Sequence, residues 1–458
     1  MKGVYMLMLF CVTACEIKAQ DISGRWYSKT ILEKEEFHFL LDIRTTENTF
    51  WGYIDLPAQN TFRMPLDSVS YSNSGEVVLM HRGLALSFRG KFDQDRHEME
   101  GVVEKDGYAN SLVLSRHPQV NRTQMIEEPI PYLSKDVYFY NKDSTKLAGT
   151  ITFPKEGQPT KAVVLISGSG PQNRDEEILG HQPFKILADH LTRQGIVVLR
   201  YDDRGYGASE GKFRPATSLD YAYDALAAVQ YLKHFDGGPI EKIGLIGHSE
   251  GGNIAPLVAT LDTAVNFLVL LAAPGTSNFE SYLVSLDLIL KAYPETYDRD
   301  FPFFKSVYED MATIDDKKTL RDSLTSKFQF IASVMDSEEL SIYGGADQYI
   351  TSQVNYHCSD WYHYYLQFDV TPYLQQLKIP ILALNGDQDH SVEATFNLNG
   401  IEKTLKAAGH PQYEVVELEN VNHFFQGSED AKIESVYFNE ETFSKVALKK
   451  IEQWIKKL

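Results

Sequence analysis

Gly247-His248-Ser249-Glu250-Gly251 is the segment of this chain best suited to covalent chemistry. A serine hydroxyl attacks an acyl carbon only when a base takes its proton. A G-x-S-x-G turn between a strand and a helix holds such a serine in a strained, uncrowded position. The five-residue pattern alone says little, but its setting says more. The apolar run Lys242-Ile243-Gly244-Leu245-Ile246 precedes it, and a helical pattern begins at Asn253. Gly247, Gly251 and Gly252 supply the lack of bulk that the turn needs. The helix after Ser249 would aim its N-terminal dipole at an oxyanion formed on the attacked carbonyl. Ser249 is therefore expected to be a nucleophile, and the backbone N–H of Glu250 one donor to the oxyanion.

In such a fold the acid and base follow the nucleophile in chain order. The apolar run Ile381 to Leu384 leads into Asn385-Gly386-Asp387-Gln388-Asp389, and Tyr413 to Leu418 leads into Glu419-Asn420-Val421-Asn422-His423-Phe424. Both turns should open on the sheet edge that presents Ser249. His423 is the expected base. Asp387 and Asp389 compete for the acid, and Asp387, nearer the strand end, suits capping its own turn. A second oxyanion donor is expected from Ile166-Ser167-Gly168-Ser169-Gly170-Pro171, at Ser169 or, failing that, at Gly170. No Lys-Ser/Thr follows that loop at phosphate-loop spacing. His248 is expected to pack under the turn and His390 to lie solvated in a loop. Spaced His/Cys ligand sets are missing from the sequence, so neither a metal nor a cofactor is expected.

These residues need a scaffold, and the hydropathy pattern describes one. Ala162 to Ile166, Ile196 to Tyr201, Ile243 to Ile246, Phe267 to Ala272 and Ile381 to Leu384 are near-continuous apolar runs, the mark of strands buried on both faces. Pro183 to Arg193 and Leu219 to Phe235 between them carry helical spacing. The alternation predicts an α/β fold, a doubly wound, mostly parallel sheet, over residues 134–458. Residues 277–377 interrupt it with helical sequence rich in Phe and Tyr, a cap-like insertion. Residues 21–116 read instead as a small antiparallel β-barrel or sandwich: Phe37, Phe39, Leu41 and Ile43 alternate with His38, Leu40, Asp42 and Arg44. A polar spacer with Pro118, Pro129 and Pro131 covers 117–133.

With 458 residues, two or three domains are expected. A net charge of −19 argues against nucleic-acid binding and against adsorption to anionic lipid. Residues 1–20 read as an export signal: Lys2, then the apolar run Val4 to Ala14, too short to span a bilayer, which takes about 20 apolar residues. Two outcomes stay open, lipidation of Cys15 in Val12-Thr13-Ala14-Cys15 or cleavage between Ala19 and Gln20. The protein is thus expected outside the cytoplasm, secreted, periplasmic or lipid-anchored. Cys358 would then stand alone as a packed, inert thiol.

The strings ISGSGPQNRDEE (166–177), RYDDRGYGASEG (200–211), GHSEGG (247–252), SDWYHYYLQFD (359–369), LALNGDQD (382–389) and NVNHFF (420–425) occur in that order. Together they resemble a bacterial α/β-hydrolase esterase family acting on short acyl chains. Ser23-Gly24-Arg25-Trp26 and the closing run GVVEKDGYANSLVLSR resemble the lipocalin-like domains that precede some of these enzymes. Ser167 stands where many relatives carry a non-catalytic His. The resemblance favours Asp389, the fourth residue of Gly386-Asp387-Gln388-Asp389, as the acid. It also implies that Arg174, Asp175, Asp203 and Arg204 brace the loops around the serine.

The expected function is a serine carboxylesterase with Ser249, His423 and Asp389 as its triad. An oligopeptidase-type peptidase or amidase is the alternative, although roughly 95 N-terminal residues cannot supply a propeller of four or more blades. A non-catalytic binding lipoprotein is the third reading. Phe279, Tyr282, Phe303, Phe304, Trp361, Tyr362, Tyr364 and Tyr365 make the insertion aromatic. Trp361, Tyr362 and Tyr365, near the return to the Asp389 strand, are expected at the substrate pocket. A roofed pocket suits a small uncharged ester with a short acyl chain, and aromatic walls would also accept an acylated glycan.

Overall fold

The computed structural model describes residues 22–46, 49–59, 61–341, 343–428 and 433–458; the expected export segment, with Cys15 and Ala19-Gln20, lies outside them. The chain divides into two compact units, the first ending at Gln119 and the second starting at Val120.

The first unit is all antiparallel. Strands β1 (Gly24–Leu32), β2 (Glu35–Thr46), β3 (Thr49–Leu56) and β4 (Thr61–Pro65) form one sheet. Strands β5 (Ser68–Tyr71), β6 (Glu76–His81), β7 (Leu86–Asp93), β8 (Glu98–Lys105) and β9 (Tyr108–Leu114) form the other, each pairing with the next. A bridge between Tyr27 and Ser115 joins the first strand to the end of the last. The period-2 residues Phe37, Phe39, Leu41 and Ile43 are buried, and so are His38, Leu40 and Asp42 on the other face. The two polar ones keep partners there, His38 at 2.7 Å from Glu36 and Asp42 at 2.7 Å from Arg44, as burial of polar groups demands. The interior is a packed core that includes Trp26, Phe39, Phe88 and Met99. The unit's ends are stitched by Arg116, whose guanidinium lies 3.6 Å over the Trp26 ring and donates to the carbonyls of Ser23 and Arg25.

The second unit is built on an eight-stranded sheet in the order β10-β11-β13-β12-β14-β15-β16-β17. Its strands are β10 (Tyr132–Tyr140), β11 (Lys146–Pro154), β12 (Lys161–Ile166), β13 (Val197–Tyr201), β14 (Lys242–His248), β15 (Val265–Leu271), β16 (Ile381–Gln388) and β17 (Tyr413–Asn422). Strands β10, β11 and β13 pair antiparallel, and every pairing from β13 to β17 is parallel. The continuous apolar runs are the central strands, buried on both faces. Helices α2 (Ser218–Lys233), α3 (Glu250–Leu261) and α11 (Ala394–Ala407) cover one face. Helices α1 (Pro183–Arg193) and α13 (Lys445–Lys457) cover the other; α12 (Ile433–Phe438) lies between α11 and α13 in sequence. Residues 120–131 run along this unit: Arg122 donates to the carbonyls of Leu179, Tyr437 and Asn439, and the Gln124 side chain accepts from Thr442 and Phe443.

Between β15 and β16 the described residues form seven helices, α4 (Asn278–Leu290) to α10 (Thr371–Gln376). They have a core of their own around Val307, Met311, Leu324 and Phe328. Among the described residues no helix is long and apolar enough to cross a membrane, and no cluster of side chains is suited to a metal ion.

Candidate active site

Strand β14 ends at His248, and the chain reverses at Ser249 with φ 52° and ψ −117° before entering α3. A non-glycine residue in that region costs on the order of 1–3 kcal/mol, and the surroundings hold it there. Ser249 donates its N–H to the Leu271 carbonyl at 2.8 Å and accepts from Gly252 at 2.9 Å. The neighbouring glycines are required by close approach. A Cβ on Gly247 would lie 2.0 Å from the Gly251 carbonyl oxygen, and one on Gly251 would lie 2.2 Å from that of Ile166.

Strands β16 and β17 run beyond the apolar stretches that announced them, to Gln388 and Asn422. Asp389 and His423 therefore leave adjacent parallel strands at the carboxyl edge of the sheet, the edge on which Ser249 also lies. The Nδ1 of His423 is 2.8 Å from Oδ2 of Asp389. The other carboxylate oxygen, Oδ1, accepts the N–H groups of Ser391 and Val392, each at 2.8 Å. Asp389 is buried whereas Asp387 and His390 are exposed. With its Nδ1 proton donated to Asp389, His423 keeps Nε2 as a proton acceptor.

The loop after β12 passes beside the serine: a Cβ on Gly168 would sit 3.2 Å from that of Ser249. Gly168 gives its N–H to Glu176 at 2.7 Å. Among the described residues the backbone N–H groups of Ser169 and Glu250 have no protein acceptor. A pocket beside Gly168, Gly170 and Glu250 extends to Tyr221 and Asp203.

The model of the alpha/beta hydrolase fold family matches residues 161–430, more than half of the chain. The chain belongs to that family. Among curated proteins it is similar to Esterase EstD of Thermotoga maritima, 31% identical over 191 residues that cover 41% of this chain and 44% of the relative. It is also similar to the uncharacterized protein YfhR of Salmonella typhimurium, 29% identical over 125 residues, 27% of this chain and 40% of the relative. The chain thus spans less than half the length of the curated relatives it matches. The solved Pyrococcus furiosus esterase Pf2001 superposes with a TM-score of 0.43 at 15% identity, over 74% of this chain and 97% of that one.

Within this hydrolase fold the charged residues around the site are paired, each with a partner that sequence reasoning did not name. Arg174 forks onto Asp202 at 3.0 and 2.8 Å, Arg200 meets Asp175 at 2.7 Å, and Arg204 forks onto Asp224 at 2.6 Å twice. Asp203 accepts the Ser167 hydroxyl and the Gln172 N–H, each at 2.8 Å. Its burial, reinforced by Asp224 and Glu250 nearby, raises its pKa well above the usual carboxylate range. Glu176 was also missed. It lies in the string ISGSGPQNRDEE, but nothing local distinguishes it from Glu177.

Glu250 is buried, and its carboxylate accepts the Ser218 hydroxyl at 2.5 Å, the Trp361 indole N–H at 3.0 Å to each oxygen, and the Ser169 hydroxyl. Burial raises its pKa, and those donors hold it back. Trp361 therefore ties the insertion to the residue after Ser249. Tyr362 and Tyr365 are 2% and 3% exposed and pack on Tyr282, with ring centroids 5.8 Å away in both cases. Helix α9 (Asp360–Gln367) turns those rings into the insertion's own core, where their apolar area has more to gain than at a wet pocket mouth. Trp361→Phe should leave the Glu250 carboxylate short of one donor and lower stability by about 1–3 kcal/mol. A fall in the urea midpoint with unchanged m-value would show it.

Proposed function

We propose that this chain is a serine carboxylesterase. Ser249 attacks the ester carbonyl while Nε2 of His423 takes its proton, and Asp389 holds the ring in the required tautomer. The N–H groups of Glu250 and Ser169 receive the oxyanion. His423 then gives the proton to the departing alkoxide, leaving an acyl group on Ser249. A water molecule, deprotonated by the same ring, attacks that acyl carbon; the bond to Ser249 breaks, the acid is released, and His423 returns the proton to Ser249. The observation that carries this reading is the 2.8 Å contact of His423 Nδ1 with Asp389, at the sheet edge where Ser249 stands at positive φ. The relative named Esterase EstD supports the same class.

The substrate in this reading is a small, uncharged ester with a short acyl chain, an acylated glycan among the natural choices. Support comes from the aromatic insertion tied to Glu250 through Trp361. The charge of −19 adds weak repulsion of anions, screened beyond about 8 Å at physiological salt. Export, with either lipidation at Cys15 or cleavage after Ala19, belongs to the proposal and rests on residues 1–20 alone.

The test is kcat/KM over p-nitrophenyl acetate, butyrate, octanoate and palmitate, beside a panel of peptide p-nitroanilides. Turnover should be highest on the two short esters. A rise toward palmitate would overturn the short-acyl assignment, and preference for the anilides would make the protein a peptidase or amidase.

A further inference from the structure

The residue before Ser249 is engaged at both ring nitrogens. Nε2 of His248 lies 2.9 Å from the backbone oxygen of His423, and Nδ1 lies 2.8 Å from Oε1 of Glu176. A carbonyl oxygen only accepts, so Nε2 carries a hydrogen. The same Oε1 of Glu176 also takes the Gly168 N–H at 2.7 Å. A carboxylate oxygen accepts two N–H groups readily, whereas a protonated carboxyl would have to donate to Nδ1 from an oxygen already accepting from Gly168. Both side chains are buried, each residue being 5% exposed, so neither charge is tolerated without the other.

We propose that His248 is held as a doubly protonated imidazolium that clamps the His423 loop to the oxyanion loop, acting as a positioning residue for the reaction. This role rests on the triad reading above. One end of the clamp is the backbone of the base itself. The other, through Glu176, is the amide next to the Ser169 donor. The charged and titratable groups facing the ring are Glu176 from the oxyanion loop, Asp389 from the end of β16, and His423, whose ring centroid is 4.9 Å away; Phe424 and Phe425 close the remainder at 6.3 Å. Burial pulls the His248 pKa down, but the Glu176 charge and hydrogen bond, aided by the His423 carbonyl and Asp389, outweigh it and raise the pKa from its ordinary value. Charge-assisted bonds of this kind are about twice as strong as neutral ones.

The sign of the pH effect follows. As pH rises through the elevated pKa, His248 loses the Nδ1 proton, and a nitrogen lone pair then faces the Glu176 oxygen. The clamp opens and kcat falls, because misplacing reacting groups by about 1 Å can cost about 10²-fold. In Glu176→Gln the charge that balanced the imidazolium is gone, so His248 becomes neutral with a lone pair at Nδ1, and the amide oxygen that accepts from Gly168 cannot donate to that lone pair. That variant should lose about tenfold to a hundredfold in kcat with little change in KM, and its alkaline decline should move to lower pH.

The direct test is nuclear magnetic resonance of the intact wild-type protein labelled with ¹⁵N-histidine, using His248→Gln to assign the signals. Two protonated ring nitrogens at neutral pH are expected at His248. An unprotonated nitrogen there overturns the clamp, as does an unmoved kcat profile in Glu176→Gln. Fluorophosphonate labelling of Ser249 is read in parallel. Failure to label sinks the triad and the positioning role with it, whereas labelling with a singly protonated His248 sinks the clamp alone.

Discussion

Ser249→Ala is expected to lower turnover of p-nitrophenyl butyrate by about 10⁴–10⁶-fold, His423→Ala by a similar factor, and the double variant by no more than either. In the proposed mechanism nucleophile and base perform one proton transfer: once either is missing, the other has nothing to exchange with. Residual catalysis would come from the oxyanion donors, the Glu250 and Ser169 N–H groups, which neither change touches. Both positions lie on turns held by backbone hydrogen bonds, Ser249 to Leu271 and Phe425 to Asn422, so denaturant midpoints should stay close to wild type. Losses that multiply in the double variant would mean that Ser249 and His423 act in separate steps.

Asp389→Asn should cost about 10⁴-fold in kcat while leaving the fold intact. The geometry explains why an isosteric change is so damaging. Oδ1 of Asp389 accepts the Ser391 and Val392 N–H groups, so an asparagine must keep its oxygen there and turn its amide nitrogen toward His423. That nitrogen donates. The ring must then accept at Nδ1 and carry its proton on Nε2, the tautomer that cannot take a proton from Ser249. Asp387, which is exposed, should tolerate the same change with little loss. Steady-state kinetics on the two variants decides between them, and a larger loss at Asp387 would reassign the acid.

Much of this architecture is legible without coordinates because its causes are local. The reversal at Ser249 needs residues without side chains at 247 and 251, and the chain displays them between an apolar run and a helical one. The β-alternation of Phe37 to Ile43 and the continuous runs of β12 to β15 report what each face of a strand touches. They separate an antiparallel unit from a parallel sheet buried on both sides. Asp389 and His423 were readable as turn residues because each follows an apolar strand at the edge where such a fold opens.

What the sequence could not express is partnership across the fold. Arg174 and Asp203 sit in quoted motifs, yet Arg174 binds Asp202 and Asp203 binds Ser167. Asp202 and Asp203 are adjacent residues just past the end of β13, and only the fold decides which of them faces which partner. Tyr362 and Tyr365 share α9 with Trp361, and helical spacing says that such residues lie close together, not which of them meets solvent. Only the packing of α9 among its neighbours, Tyr282, Tyr308 and His357 among them, buried the tyrosines, and tertiary structure sent the indole to Glu250. His248 and Glu176 lie 72 residues apart and Glu176 is one of two adjacent glutamates. Their pairing exists because parallel strands β12 and β14 are neighbours, which brings the loop after one against the turn after the other. Composition and spacing determined the sheet, the serine turn and the strand ends that carry Asp389 and His423; tertiary packing alone decided which buried charges meet, since a charge removed from water is stable only beside a partner the fold happens to deliver.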